Sequence, residues 1–157
     1  MYKIKELIQI LTENRWLVCR ILFAVYLIGL SVIDLRVRRL KFSFLMAGFL
    51  FAVAGELCGR DIPVLLLAAG VAVGGIFLAV SRLTGEAFGY GDSILITVMG
   101  SFIGFWNILS LLIAAFLMAA AFSVFLLAGK RFGRKDSFPF VPFLTVAYIV
   151  GMAAGIY

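Results

Sequence analysis

Histidine is absent from this chain, and the absence removes more chemistry than most residues present could add. Without an imidazole there is no Ser-His-Asp triad, no Cys-His pair, no Ser-His dyad and no HExxH zinc site. Catalysis, if any, falls to carboxylates, hydroxyls, thiols or amines. Cysteine occurs twice, at Cys19 and Cys58, too rarely for a disulfide framework or for a thiolate metal site, which usually takes three or four ligands. Both read as small apolar fillers, and no metal or cofactor is expected. Charged residues make up 14% of the chain, against ~25% in ordinary globular proteins. Of the 157 residues, 64% are hydrophobic, and so small a body has no interior for that many apolar groups. The composition selects a lipid bilayer as solvent and leaves no separate soluble domain. The formal charge of +6 would suit a nucleic acid, but membrane proteins gather Lys and Arg in cytoplasmic loops for topological reasons. No nucleic-acid partner is expected.

The hydropathy pattern predicts a single all-α domain over residues 1–157, a polytopic membrane helical bundle of about six transmembrane helices. Ile4, Leu7, Ile8 and Leu11 follow the i, i+3, i+4, i+7 spacing of one helix face, so residues 1–15 read as a short helix lying on the membrane surface. Spans are expected at 16–33, 42–57, 62–80, 93–106, 108–129 and 138–157. The uncharged run over 93–129 holds 37 residues. At ~1.5 Å per residue it would reach about 55 Å, nearly twice the ~30 Å hydrocarbon layer, so it folds back on itself. Trp106-Asn107 is the natural turn, an interfacial aromatic beside the only amide in the run. Alternating spans place the connections around 34–41, 81–92 and 130–137 on one side. These hold Arg36, Arg38, Arg39, Lys41, Arg82, Lys130, Arg131, Arg134 and Lys135, nine of the fourteen basic residues, which makes that side cytoplasmic. Lys3, Lys5, Arg15 and Arg20 argue weakly the other way.

Asp34 ends the first expected span and Asp92 begins the fourth, 58 positions later. Two intervening spans return the chain to the same face, so parity alone sets both carboxylates at one depth. An ionisable group beside hydrocarbon costs energy and normally faces the bundle interior, where it marks function. Each has a plainer reading: Asp92 as an N-cap of the helix that follows, Asp34 as a topological charge paired with Arg36 or Arg38. Two facing carboxylates are also the minimum for aspartic-protease chemistry, because like charges at close range share one proton. The ionised member then activates water and the protonated one donates to the scissile carbonyl. Gly89 and Gly91 make the approach to Asp92 bare, so that with Tyr90 they can receive an extended substrate backbone. Pro139 and Pro142 predict a distorted start of the last span, which can shape a substrate groove or simply begin a helix. Glu86 reads as a solvated loop charge.

Gly89-Tyr90-Gly91-Asp92 at a cytoplasmic helix start, with the earlier Asp34-Leu35-Arg36 closing a preceding span, resembles the GxGD aspartyl proteases. The chain is most similar to the type IV prepilin peptidases, including the short forms associated with tight-adherence pili and archaeal preflagellins. Thr84-Gly85-Glu86, the pattern from Met99-Gly100 to Ile103-Gly104, and Phe138-Pro139-Phe140-Val141-Pro142-Phe143-Leu144 also fit, and the similarity extends over about 20–157. The resemblance implies an intramembrane-type aspartic endopeptidase. Its catalytic residues would be Asp34 and Asp92, with Gly89, Tyr90, Gly91, Pro139 and Pro142 toward the substrate. It would remove the leader of a pilin-like precursor, a leader followed by a hydrophobic helix, at the cytoplasmic face of the cell membrane. The cut typically follows a glycine. Full-length bacterial members also carry a cytosolic segment associated with N-methylation of the new amino terminus. Nothing here corresponds to it, so no methyltransferase activity is expected. The chain departs from many members at Ile94, where they have lysine, and at Lys41, where they have proline.

Two other classes compete. A small transporter would use the acids as a proton or cation relay, but neither aspartate falls at a midplane and no inverted repeat is visible. A non-catalytic pilus-assembly factor would bind precursor helices without needing either carboxylate. A Ser-Lys dyad built on Lys41 or Lys130 ranks last, since Ser43 is merely a chain neighbour.

Overall fold

The computed structural model describes residues 14–37, 42–85, 89–128 and 139–156. Six helices follow one another: α1 (Arg15–Val37), α2 (Phe42–Leu57), α3 (Val64–Leu83), α4 (Tyr90–Ile103), α5 (Phe105–Ala128) and α6 (Val141–Ala153). No strand occurs among the described residues. Long and short helices alternate along the chain. Three are long and apolar enough to cross a membrane: α1, α3 and, over Phe105–Phe125, α5. The other three have 16, 14 and 13 residues and reach only ~20–24 Å at ~1.5 Å per residue, less than the hydrocarbon thickness.

The shortfall is most telling in α4, because this helix is the centre of the bundle. Every residue from 93 to 103 is buried, whereas long helices turn large apolar side chains outward, as with Leu65 on α3 and Phe125 on α5. Such outward faces suit a bilayer. Glycine permits the close packing of α3 on α4. Gly70 and Gly74 stand one turn apart, and a Cβ added at Gly70 would strike the Gly100 carbonyl, while one at Gly74 would strike Thr97. With no hydrophobic drive between helices in lipid, the close packing that small residues permit is, with interhelical hydrogen bonds and lipid entropy, a source of helix affinity. On the opposite flank, Phe23 of α1 is fully buried and stacks on Phe102 with centroids 4.2 Å apart. Thr145 of α6 donates to the Leu27 carbonyl at 3.2 Å and Tyr148 to that of Arg20 at 3.3 Å, tying α6 to α1.

The helices differ from the expected spans in ways that have physical causes. The fold-back between α4 and α5 falls at Gly104, not at Trp106-Asn107. Gly104 has φ of 80°, which a residue with a Cβ rarely adopts. Asn107 still serves the turn: it lies inside α5 and its Nδ2 donates back to the Ile103 carbonyl at 2.9 Å, one of the carbonyls that a helix end leaves without an internal partner. The first helix runs through Asp34 to Val37 instead of stopping at Ile33. The fourth begins at Tyr90, so Asp92 is in its first turn; the N-cap position belongs to Gly89. Residues 1–13, the expected surface helix, lie outside the described residues, as do Arg38, Arg39, Lys41, Glu86, Lys130, Arg131, Arg134, Lys135 and Phe138.

Candidate active site

Asp34 sits in the last turn of α1, only 8% exposed. An anion there opposes the dipole of its own helix. The compensation comes from elsewhere: the backbone N–H of Val141, the first residue of α6, donates to the Asp34 carboxylate. The amide and positive end of α6 thus replace part of the hydration that α1 denies. They do not replace all of it, since Asp34 Oδ2 is buried with no hydrogen-bond partner among the described residues. Orphaned polar atoms in a protein interior cost free energy and call for an explanation. Arg36, offered above as a topological partner, is exposed and forms no ion pair with Asp34 among the described residues.

Asp92 reaches the same end of the bundle from α4. It is half-buried in the first turn of that helix, where a carboxylate is favoured by the dipole. The turn is held by Ser93, whose backbone N–H and Oγ both reach the Gly89 carbonyl, at 3.1 and 3.2 Å. A Cβ on Gly89 would stand 2.8 Å from Asp92 Oδ2. The carboxylate therefore folds over the space that glycine leaves, and the bare residue has a definite steric task. The charge of Asp34 acts on Asp92, so the two acids, distant in sequence, are electrostatic neighbours.

The remaining candidates surround this pair. Tyr90 is 49% exposed and Gly89 is exposed, both at the mouth of α4; Gly91 is half-buried on the same turn. Pro139 and Pro142 are half-buried and flank Val141, with Pro142 at the second helical position, where a missing N–H costs nothing. Ile94 is buried. Sequence reasoning missed the Val141 amide, which is backbone and so invisible to residue type; the only signal was the pair of prolines marking a helix start. Among the described residues no three acidic or thiol side chains gather as a metal site would require. An apolar cleft between α5 and α6, bordered by Ser110, Met118 and Gly151, lies away from the aspartates. Chemically, two neighbouring carboxylates, one with an open oxygen, can hold a single shared proton and present both a base and an acid to one substrate.

Known proteins agree with the class of molecule this describes. The chain is 28% identical over 133 residues to a prepilin leader peptidase/N-methyltransferase of Xanthomonas campestris pv. campestris, an alignment covering 81% of this chain and 46% of that protein. The chain therefore spans about half the length of the curated relative it matches. No solved structure matches it. Residues 21–124, with both aspartates inside them, match the type IV leader peptidase family. On that match, which covers well over half of its length, the chain belongs to the type IV leader peptidase family.

Proposed function

We propose that the protein is an aspartic endopeptidase that removes the leader peptide of pilin-like precursors at the cytoplasmic membrane face, with Asp34 and Asp92 as its catalytic pair. What supports this reading is that the charge of Asp34 acts on Asp92 and that one oxygen of Asp34 is buried with no partner among the described residues. In the resting site the pair holds one proton. The ionised carboxylate takes a proton from water as it attacks the scissile carbonyl, and the protonated one donates to the developing oxyanion. The proton, and with it the remaining charge, changes place between the two acids during the cycle, so the titration belongs to the pair.

The shortness of α4 and α6 supports access. Both begin at the aspartate end and fall short of the hydrocarbon thickness, so a precursor helix lying in the bilayer can bring the bond before its apolar stretch to the carboxylates while its basic leader stays among the cytoplasmic loops. Gly89, Tyr90 and Gly91 on one side, and the turn bearing Pro139 and Pro142 on the other, border the path of the extended backbone. Extended peptide at membrane depth is tolerable only where protein satisfies it.

The test is cleavage of a pilin precursor co-reconstituted with the protein in liposomes, followed by mass spectrometry of the new amino terminus. Asp34→Asn and Asp92→Asn, each inserted normally, should separately abolish the product. Normal turnover by either variant would reject the pair. Precursor binding without cleavage by the unaltered protein would favour the assembly-factor reading, and pH-dependent flux without proteolysis the transporter.

A further inference from the structure

At the end of the bundle away from the aspartates, the two cysteines meet. Cys19 lies near the start of α1 and is 4% exposed; Cys58, half-buried, follows the last residue of α2. The two thiols act on one another, Cys58 packs against the buried core that holds Cys19, and both are free. A thiol is a weak donor and a weak acceptor, so this contact does little to hold helices together, and Ala or Val would fill the space as well. What only two cysteines achieve there is to bring two sulfurs within reach of a bond.

The surroundings add a second observation. Arg60 is 8% exposed, and its charge acts on Cys19. Its Nη1 donates to the Ser101 and Phe102 carbonyls and its Nη2 to Glu56, yet among the described residues its buried Nε has no partner. Arg60 thus makes the neighbourhood of Cys19 polar, and the more accessible Cys58 is the sulfur that an external disulfide meets first.

We propose that Cys19 and Cys58 are a modification site, a reversible intramolecular disulfide made by exchange with an external disulfide. The more accessible Cys58, as thiolate, attacks one sulfur of the external disulfide and expels the other half as a thiolate, leaving a mixed disulfide. Cys19, its proton passing to the thiolate already released, then attacks the Cys58 sulfur and expels the second half. Two cysteine thiols are oxidised, one external disulfide is reduced to two thiols, and the two cysteine protons pass to the leaving thiolates. The bond joins the start of α1 to the turn between α2 and α3 and leaves the aspartate end open. The proposed orientation faces this end away from the cytoplasm, where disulfides persist; the bond itself does not depend on that orientation.

Purified protein in detergent, exposed to oxidised glutathione, is to be measured by intact mass and non-reducing electrophoresis. The expected product is a monomer lighter by two hydrogens, with no glutathione attached, restored by dithiothreitol. Cys19→Ser should instead retain one glutathione on Cys58, because nothing is left to resolve the mixed disulfide. Unaltered protein that keeps two free thiols, accumulates stable glutathione adducts or forms only inter-chain dimers would overturn the proposal. Sealed vesicles of each orientation separate the two premises: cross-linking by the impermeant disulfide only from the cytoplasmic side would overturn the orientation while the disulfide stood.

Discussion

The two ends of α4 treat buried charge in opposite ways. At its C-terminal end a positive side chain, Arg60, is spent on structure. It reaches the last carbonyls of the helix through Nη1 and pairs with Glu56 through Nη2, so a cation lies where the dipole wants one. At the N-terminal end Asp92 also has the favoured sign, but the like charge of Asp34 acts on it, and one oxygen of Asp34 has no partner among the described residues. The first arrangement satisfies most of a buried cation, with Nε alone lacking a partner among the described residues. The second sets two like charges together, a cost that the proposed chemistry would use. Substitutions at the Arg60 end should therefore cost stability with the chemistry intact, and those at the aspartate end should cost chemistry with the fold intact.

The largest departure is expected at the acids. Asp34→Asn and Asp92→Asn should each reduce cleavage by about 10²–10⁴-fold, the usual worth of an acid or base in position. Thermal unfolding in detergent should show Asp34→Asn holding or gaining stability, since it neutralises a buried, incompletely satisfied carboxylate. A large fall in its melting temperature would erase the contrast between the two ends. Next in size is Gly70→Ala, whose new methyl meets the Gly100 backbone instead of a movable side chain. It should destabilise by about 1–3 kcal/mol or more, measured by denaturant titration in micelles. Arg60→Met leaves the Ser101 and Phe102 carbonyls without their donor and should cost about 1–3 kcal/mol, while cleavage per folded molecule remains close to normal.

Two smaller effects sharpen the comparison. Gly89→Ala places a methyl against Asp92 Oδ2, which can swing aside, so cleavage should fall by about 10-fold with little change in stability; a displacement near 1 Å in a catalytic group is enough for that. Unchanged kinetics would mean that the bare position matters less than its packing suggests. Glu56→Gln removes only the half-exposed partner of Arg60 and should cost less than about 1 kcal/mol. A larger loss by unfolding titration would show that the ion pair, and not the helix carbonyls, secures Arg60.

Much of this was legible along the chain because it depends on local or parity arguments. Apolar runs and scarce charge announce helices for a bilayer, and counting spans sets Asp34 and Asp92 on one face without any knowledge of packing. The glycines before Asp92 flagged a bare approach. What could not be read were choices made by neighbours. Asp34 looked like the end of a helix because its charge closes the apolar run; α1 continues through it to Val37, and the Val141 amide of a distant helix receives the carboxylate. The turn after α4 looked like Trp106-Asn107 by polarity, but backbone sterics chose Gly104, two residues earlier. The cysteines looked like filler when counted, and only the approach of α1 to the end of α2 makes them a pair.

The sequence by itself determined that this chain is helical and apolar enough for a membrane, and it set the expectation that two acids return to one side, because hydrophobicity, backbone hydrogen-bond satisfaction in lipid and the count of apolar runs are properties of the linear pattern. Only the tertiary structure decided which charges are satisfied and which are left open. That outcome rests on amides, carbonyls and missing Cβ atoms supplied by other helices, and no local pattern encodes the direction from which they arrive.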